Sequence, residues 1–161
     1  MTRRAAAAGS VLFFLAVPCV VAGLIPWLVT GWQFDDVHGW LIAVRVAGAV
    51  LIVAGLLSVI ESFVRFVRDG RGTPAPAAAP EKLVIRGQYR FVRNPMYVAV
   101  GSVILGQALA LPSTSLLVYL ALFFVTVASF VRFYEEPALQ SRFGAEYTGY
   151  KKEVPAWWIR L

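Results

Sequence analysis

A chain of 161 residues usually folds as one domain, and this one is 59% hydrophobic, only 15% charged and +6 in net charge, with a mean hydropathy of +0.70. Soluble domains carry about 25% charged residues, so a water-surrounded core is excluded and the chain belongs in a bilayer. Cys19 and His38 are each the sole residue of their type, which excludes an internal disulfide, a thiolate or multi-histidine metal centre, and a Cys/His or Ser/His nucleophile in the polar clusters described below.

The first apolar segment runs from Ser10 to Val29 behind Arg3 and Arg4. It reads as a span rather than a cleaved signal, because Ala5–Ala8 precedes the apolar run and the run is of spanning length. Pro18 predicts a kink, and Pro26 with Trp27 marks an interface. The loop Gly31–Gly39 carries Asp35 and Asp36 but no Lys or Arg. The second segment, Trp40 to Val64, holds Ala43, Ala47, Gly48, Ala54, Gly55 and Ser58, a small-residue face that predicts a helix-packing seam. Arg45 lies inside it, to be met by snorkelling or by Asp35 or Asp36. Glu61 and Arg65 stand four apart, as a helical pair does.

Residues 68–94 then read as a linker. Pro74, Pro76 and Pro80 favour an extended path, which as a strap would bring Arg71 and Thr73 back toward the second segment. The third segment, Met96 to Leu111, is short for a span, and Ser113 or Thr114 is the N-cap candidate for the fourth, residues 115–133. With the N-terminus inside, cations fall at Arg3 and Arg4, from Arg65 to Arg93, and from Arg132 to Arg160, and none falls in the outer loops. This positive-inside pattern predicts a single all-α membrane domain over 1–161. It has four transmembrane helices (10–29, 40–64, 96–111, 115–133), both termini cytoplasmic, and a C-terminal interfacial or cytosolic helix over 136–161. It also explains the net charge without nucleic acid.

Two polar clusters share the inner face in this topology. Arg86, Arg90 and Arg93 alternate with Tyr89, Phe91 and Tyr97, and Pro95 biases Asn94 away from helical dihedrals. Glu135 and Glu136 stand where the fourth span ends, and adjacent carboxylates at such a boundary need partners, which those arginines can supply. Arg132 faces Glu136 at i, i+4. Phe143, Tyr147 and Tyr150 form an aromatic stripe for lipid or for a pocket.

These residues resemble the isoprenylcysteine carboxyl methyltransferase family of membrane methyltransferases, related to phospholipid N-methyltransferases. The resemblance rests on Gly87-x-Tyr89-Arg90-x-x-Arg93-Asn94-Pro95-x-Tyr97 and on Arg132-x-x-Glu135-Glu136-x-x-Leu139. It extends through Phe143-Gly144-x-Glu146-Tyr147-x-x-Tyr150 and Val154-Pro155, and Gly72-Thr-Pro-Ala-Pro76 is similar to the bacterial branch. Asn94 stands where many members carry His, and the ending after Val154-Pro155 lacks the family's basic residue and second proline.

The resemblance implies S-adenosylmethionine as methyl donor, and no Gly-rich strand-turn-helix offers a soluble dinucleotide-type alternative. The implied donor-binding residues are Tyr89, Arg90, Arg93, Asn94, Pro95, Tyr97, Glu135 and Tyr147. Arg93 or Arg90 would meet the donor carboxylate, and the tyrosines would face adenine or the sulfonium. Arg132 and Glu136 are implied nearest the acceptor, with no metal. The acceptor would be a lipidic or amphiphilic small molecule in contact with membrane lipids, with carboxylate O-methylation favoured over phospholipid N- or small-thiol S-methylation. The implied setting is a bacterial inner membrane with the site on its cytoplasmic face. A non-catalytic four-helix scaffold or assembly subunit is the reading from another class.

Overall fold

The computed structural model describes residues 16–36, 38–70 and 83–160. Among these it contains helices and connecting segments and no strand. Helix α1 is Ala16–Thr30, α2 is Trp40–Gly70, α3 is Pro95–Ala110 and α4 is Thr114–Phe130. A wide π turn, Val131–Glu135, carries the chain without a break into α5, Glu136–Glu153. Two helices are long and apolar enough to cross a membrane, Trp40–Arg65 of α2 and the continuous helix that begins at Thr114, and α1 and α3 are shorter apolar helices. The start of the first segment, and residues 71–82 with Arg71, Thr73 and all three prolines of the strap, lie outside the described residues.

α3 is apolar on every side, and such a helix must be surrounded. It forms the centre of the bundle, with Ala99, Val100, Val103, Ile104 and Ala108 buried, while Val46, Val50, Val53, Leu57 and Ile60 of α2 point outward. The α2–α3 seam is narrower than the sequence suggests. Gly48 and Gly55, seven residues apart, are buried against α3, whereas Ala43, Ala47 and Ala54 are exposed. The approach is that of backbone on backbone: a Cβ on Gly48 would lie 2.5 Å from the Gly106 carbonyl oxygen, and one on Gly106 would lie 2.6 Å from that of Gly48.

Proline chemistry locates the irregular turns. The carbonyl that Pro18 deprives of a donor, that of residue 14, lies outside the described residues. α1 contains a π turn over Val20–Leu24, in which Ile25 N–H reaches back to Val20 O. That leaves Val21 O free, and Pro26 has no N–H for Ala22 O. Side chains take over both carbonyls: Tyr119 donates to Val21 O at 2.8 Å and Gln107 to Ala22 O at 2.7 Å. The Gln107 amide oxygen accepts from Trp32 Nε1 at 3.1 Å, so this buried amide is satisfied at both ends. Arg45 finds the backbone of the acidic loop, donating to Asp35 O at 2.8 Å and to Ala110 O at the end of α3 at 2.9 Å. Ser113 caps α4 through Leu116 N–H.

Three boundaries differ from expectation. α2 runs on to Gly70, since nothing before that glycine breaks it, so the linker starts later than 68. The helix of the fourth apolar segment does not stop at 133, because Pro137 falls in the first turn of α5, where its missing N–H is tolerated. The helix expected over 136–161 ends at Glu153, and residues 154–160 form a non-helical tail.

Candidate functional site

The segment entering α3 is clamped from below. Gly87 (φ +62°) lies so close to α2 that a Cβ there would sit 2.9 Å from both Arg65 Nε and Glu61 Oε1. Gln88 Oε1 accepts from Ser58 at 2.6 Å and from Ser62 at 3.4 Å. After this 3-10 turn, Gly87–Arg90, Asn94 takes a non-helical conformation (φ −118°, ψ 55°) and Pro95 opens α3. Arg93 and Tyr97 are thereby turned toward the start of α5.

Arg93 is the most engaged side chain there. Its Nη1 meets Glu136 Oε1 at 2.6 Å and Tyr147 Oη at 3.4 Å, and its Nε donates to Val154 O at 2.9 Å. The other Glu136 oxygen accepts from Lys151 at 2.7 Å and, at 3.5 Å, from Arg132, whose side chain is 72% exposed. Burial pushes the Glu136 carboxyl up, but the hydrogen bonds and charges of Lys151 and Arg93 outweigh burial and hold it below the usual range. Glu135 has the opposite surroundings. It accepts from Tyr97 Oη at 2.9 Å and forms no ion pair among the described residues. Burial raises its pKa, and the Tyr97 bond only partly opposes the rise. One carboxylate is thus saturated with cations, and its neighbour lacks one.

Lys151 reaches Glu136 because α5 is broken. On a straight helix, residues fifteen apart would stand about 22 Å apart. Gly144, at φ 51° and ψ −120°, turns the second half back. The returning face buries Tyr147, Tyr150 and Val154 against Leu83, Leu139 and Phe143, so the aromatic stripe packs on protein. Tyr150 Oη donates to Tyr89 O at 2.5 Å. Burial, then Tyr150 and Glu135, push the Tyr89 phenol up.

The tail closes the arrangement. Pro155 O accepts from Arg93 N–H at 2.9 Å, Ala156 O from the Asn94 amide at 3.2 Å, and Phe91 O from Arg160 N–H at 2.9 Å. These bonds carry the Trp157 ring between Tyr97 (centroids 6.5 Å) and Phe124 (6.4 Å). Phe124 in turn lies over Gly101, where a Cβ would meet its ring at 2.5 Å. Beside the Arg93 knot, a cleft of about 560 Å³ is lined by Arg93, Lys151, Val154, Trp158 and Arg160.

A family model described as phospholipid methyltransferase matches residues 43–146. The chain belongs to the phospholipid methyltransferase family. This is a family of membrane methyltransferases related to the isoprenylcysteine carboxyl methyltransferases, and the match covers the first polar cluster and Arg132, Glu135 and Glu136 of the second, ending before Tyr147. No curated protein and no solved structure matches the chain.

Of the residues singled out in the sequence, the fold of this phospholipid methyltransferase family member brings together Arg93, Asn94, Pro95, Tyr97, Glu135, Glu136 and Tyr147, with Tyr89 joined through its carbonyl. Arg132 stands at the rim. Arg90 stands apart: exposed, its guanidinium over the Phe91 ring, it lines a different cleft with Glu61 and Arg65. Sequence reasoning missed Lys151 and Trp157. Lys151 is at the site only because Gly144 breaks the helix, and the one signal for it is that glycine between two aromatic-bearing half-helices. Trp157 lies beyond the matched motifs in an ending that carried no pattern.

Proposed function

We propose that this protein is an S-adenosylmethionine-dependent integral-membrane methyltransferase. In this reading it has four spans, its site is at the cytoplasmic face of a bacterial inner membrane, and its acceptor is an amphiphile that enters from the bilayer. The observation that carries the reading is the double junction Arg93–Glu136 (2.6 Å) and Tyr97–Glu135 (2.9 Å), which joins the two halves of the family motif.

The donor set suits such a cofactor. Glu135, which lacks a cation, matches an ammonium or ribose hydroxyls, and Tyr97 offers an aromatic face to a sulfonium. Arg93 and Lys151 present donors for a carboxylate. S-adenosylmethionine supplies, when bound, a methyl group on a positively charged sulfur. The chain's part is to orient, to exclude water and to place charge. Trp157 and Phe124 shut the site on one side. Arg132, loosely held, is the cation free to orient an acceptor carboxylate, while Glu136 keeps Arg93 and Lys151 in place. An ionised carboxylate needs no base, which favours O-methylation.

The second reading is methylation of a phospholipid amine, favoured by the description of the matched family. There Glu135, its pKa raised, takes the proton that the ammonium must lose. A transfer assay with labelled donor against prenylcysteine-type carboxylates, phosphatidylethanolamine and simple thiols separates these readings. Methylation of the carboxylates alone supports the first, and of the lipid amine the second; no transfer to any of the three counts against both. Arg132→Ala is expected to lower carboxylate turnover about a hundredfold with donor affinity retained. Equal loss of both reassigns Arg132 to the donor.

A further inference from the structure

On the far side of the Gly87–Arg90 turn from the Arg93 knot, a second cleft of about 650 Å³ is walled by Arg65, Arg86 and Arg90, with Glu61 the one acidic residue among its lining. Arg65 is half-used by Glu61 at 3.5 Å. Arg86 and Arg90 form no ion pair among the described residues; Arg90 rests on the Phe91 ring, 5.2 Å from its centroid. Three guanidiniums against one carboxylate leave the cleft cationic. The wall is built rather than loose, because Gly87 is pressed onto Glu61 and Arg65, and Gln88 is held by Ser58 and Ser62.

The position says what fills it. The cleft opens where the spanning stretch of α2, Trp40–Arg65, ends, the depth at which headgroups lie. Its rim carries exposed Ile85 and Phe91 beside the arginines. Fork-shaped donors set beside apolar side chains at that depth match a phosphodiester with acyl chains attached, and basic pockets at helix ends are known to hold such headgroups. We propose that this cleft binds the phosphodiester headgroup of an anionic membrane lipid, at a site separate from the methyl-transfer site. The bound lipid braces the turn that carries Tyr89 and Phe91, whose carbonyls anchor Tyr150 and Arg160.

Native mass spectrometry of the full chain in detergent tests this without any turnover. Phosphatidylglycerol is the probe, since it has no amine, carboxylate or thiol to accept a methyl group, and the Arg86 and Arg90 substitutions assign its retention to this cleft rather than to the methyl-transfer site. The wild type should retain one phosphatidylglycerol in preference to phosphatidylcholine of the same chains. Arg86→Gln with Arg90→Gln should weaken retention roughly tenfold or more. Glu61→Gln should strengthen it, a gain that misfolding cannot produce. Equal retention of the two lipids, or unchanged retention in the double variant, overturns the proposal. So does displacement of phosphatidylglycerol by millimolar inorganic phosphate, which makes this a site for soluble anions.

Discussion

Glu135 and Glu136 are neighbours in sequence with opposite surroundings, and the π turn is what separates them. Glu136 is held below the ordinary carboxylate value. A group of that kind contributes stability that is present above its unfolded value and is lost as pH falls through the lowered folded value. Thermal unfolding in detergent should therefore lose stability on acidification across that window, and Glu136→Gln should flatten the dependence. Removing the carboxylate outright strands Arg93 and Lys151, both partly buried; Glu136→Ala should cost about 3 kcal/mol. Glu135 has the reverse sign. Its raised pKa means that the charged form is disfavoured in the folded state, a penalty that grows as pH rises through the folded value. Glu135→Gln should consequently raise the melting temperature of the protein without ligand at neutral pH while weakening donor binding. A fall in melting temperature would show that the charge is already compensated. The need of this carboxylate pair for arginine partners was legible in the sequence. Which carboxylate takes which partner was not, because the choice depends on a one-residue widening of the helix.

The elements show how much periodicity can and cannot reveal. Helix positions followed from hydrophobic runs, and Pro95, Pro112 and Ser113 placed both ends of α3 and the start of α4 to within a residue. The seam between α2 and α3 was legible only in kind. Small residues announced it, but the seven-residue spacing of Gly48 and Gly55 decides which of them meet α3. Gly106→Ala should push the helices apart, since the added carbon falls 2.6 Å from the Gly48 carbonyl oxygen. A drop in melting temperature larger than that of Ala47→Gly, on the exposed face, is the expected result. The break in α5 is marked in the sequence by Gly144 alone, as nothing flanking that glycine forbids a continuous helix. Its backbone conformation is open essentially to glycine alone, while no atom lies within 4 Å of where a Cβ would stand. Gly144→Ala should therefore cost about 1–3 kcal/mol through backbone strain. It should also release Lys151 from Glu136, which a double-mutant cycle between these two residues detects as lost coupling.

For the whole molecule, one short apolar helix, α3, sits at the centre of the bundle, and α5 and the tail fold back on the pole where α3 begins. Charge asymmetry along the sequence is enough to imply that pole, because every cluster of Lys and Arg recurs after an even number of apolar segments. The tail was illegible for a physical reason. Its bonds to Phe91, Arg93 and Asn94 are made by backbone carbonyls and N–H groups, which leave no trace in side-chain pattern. The proposed four-span topology puts Asp36 and Glu146 on opposite sides of the membrane, and cysteines at these positions should react with an impermeant reagent from opposite faces. Labelling from one face would overturn it. The most direct measurement is calorimetric titration of S-adenosylmethionine into the detergent-purified chain. A saturable heat in the wild type, weakened at least tenfold in Glu135→Gln although that variant stays folded, is the predicted result. No heat from the wild type at millimolar ligand would contradict the assignment of this pole as a methyl-donor site.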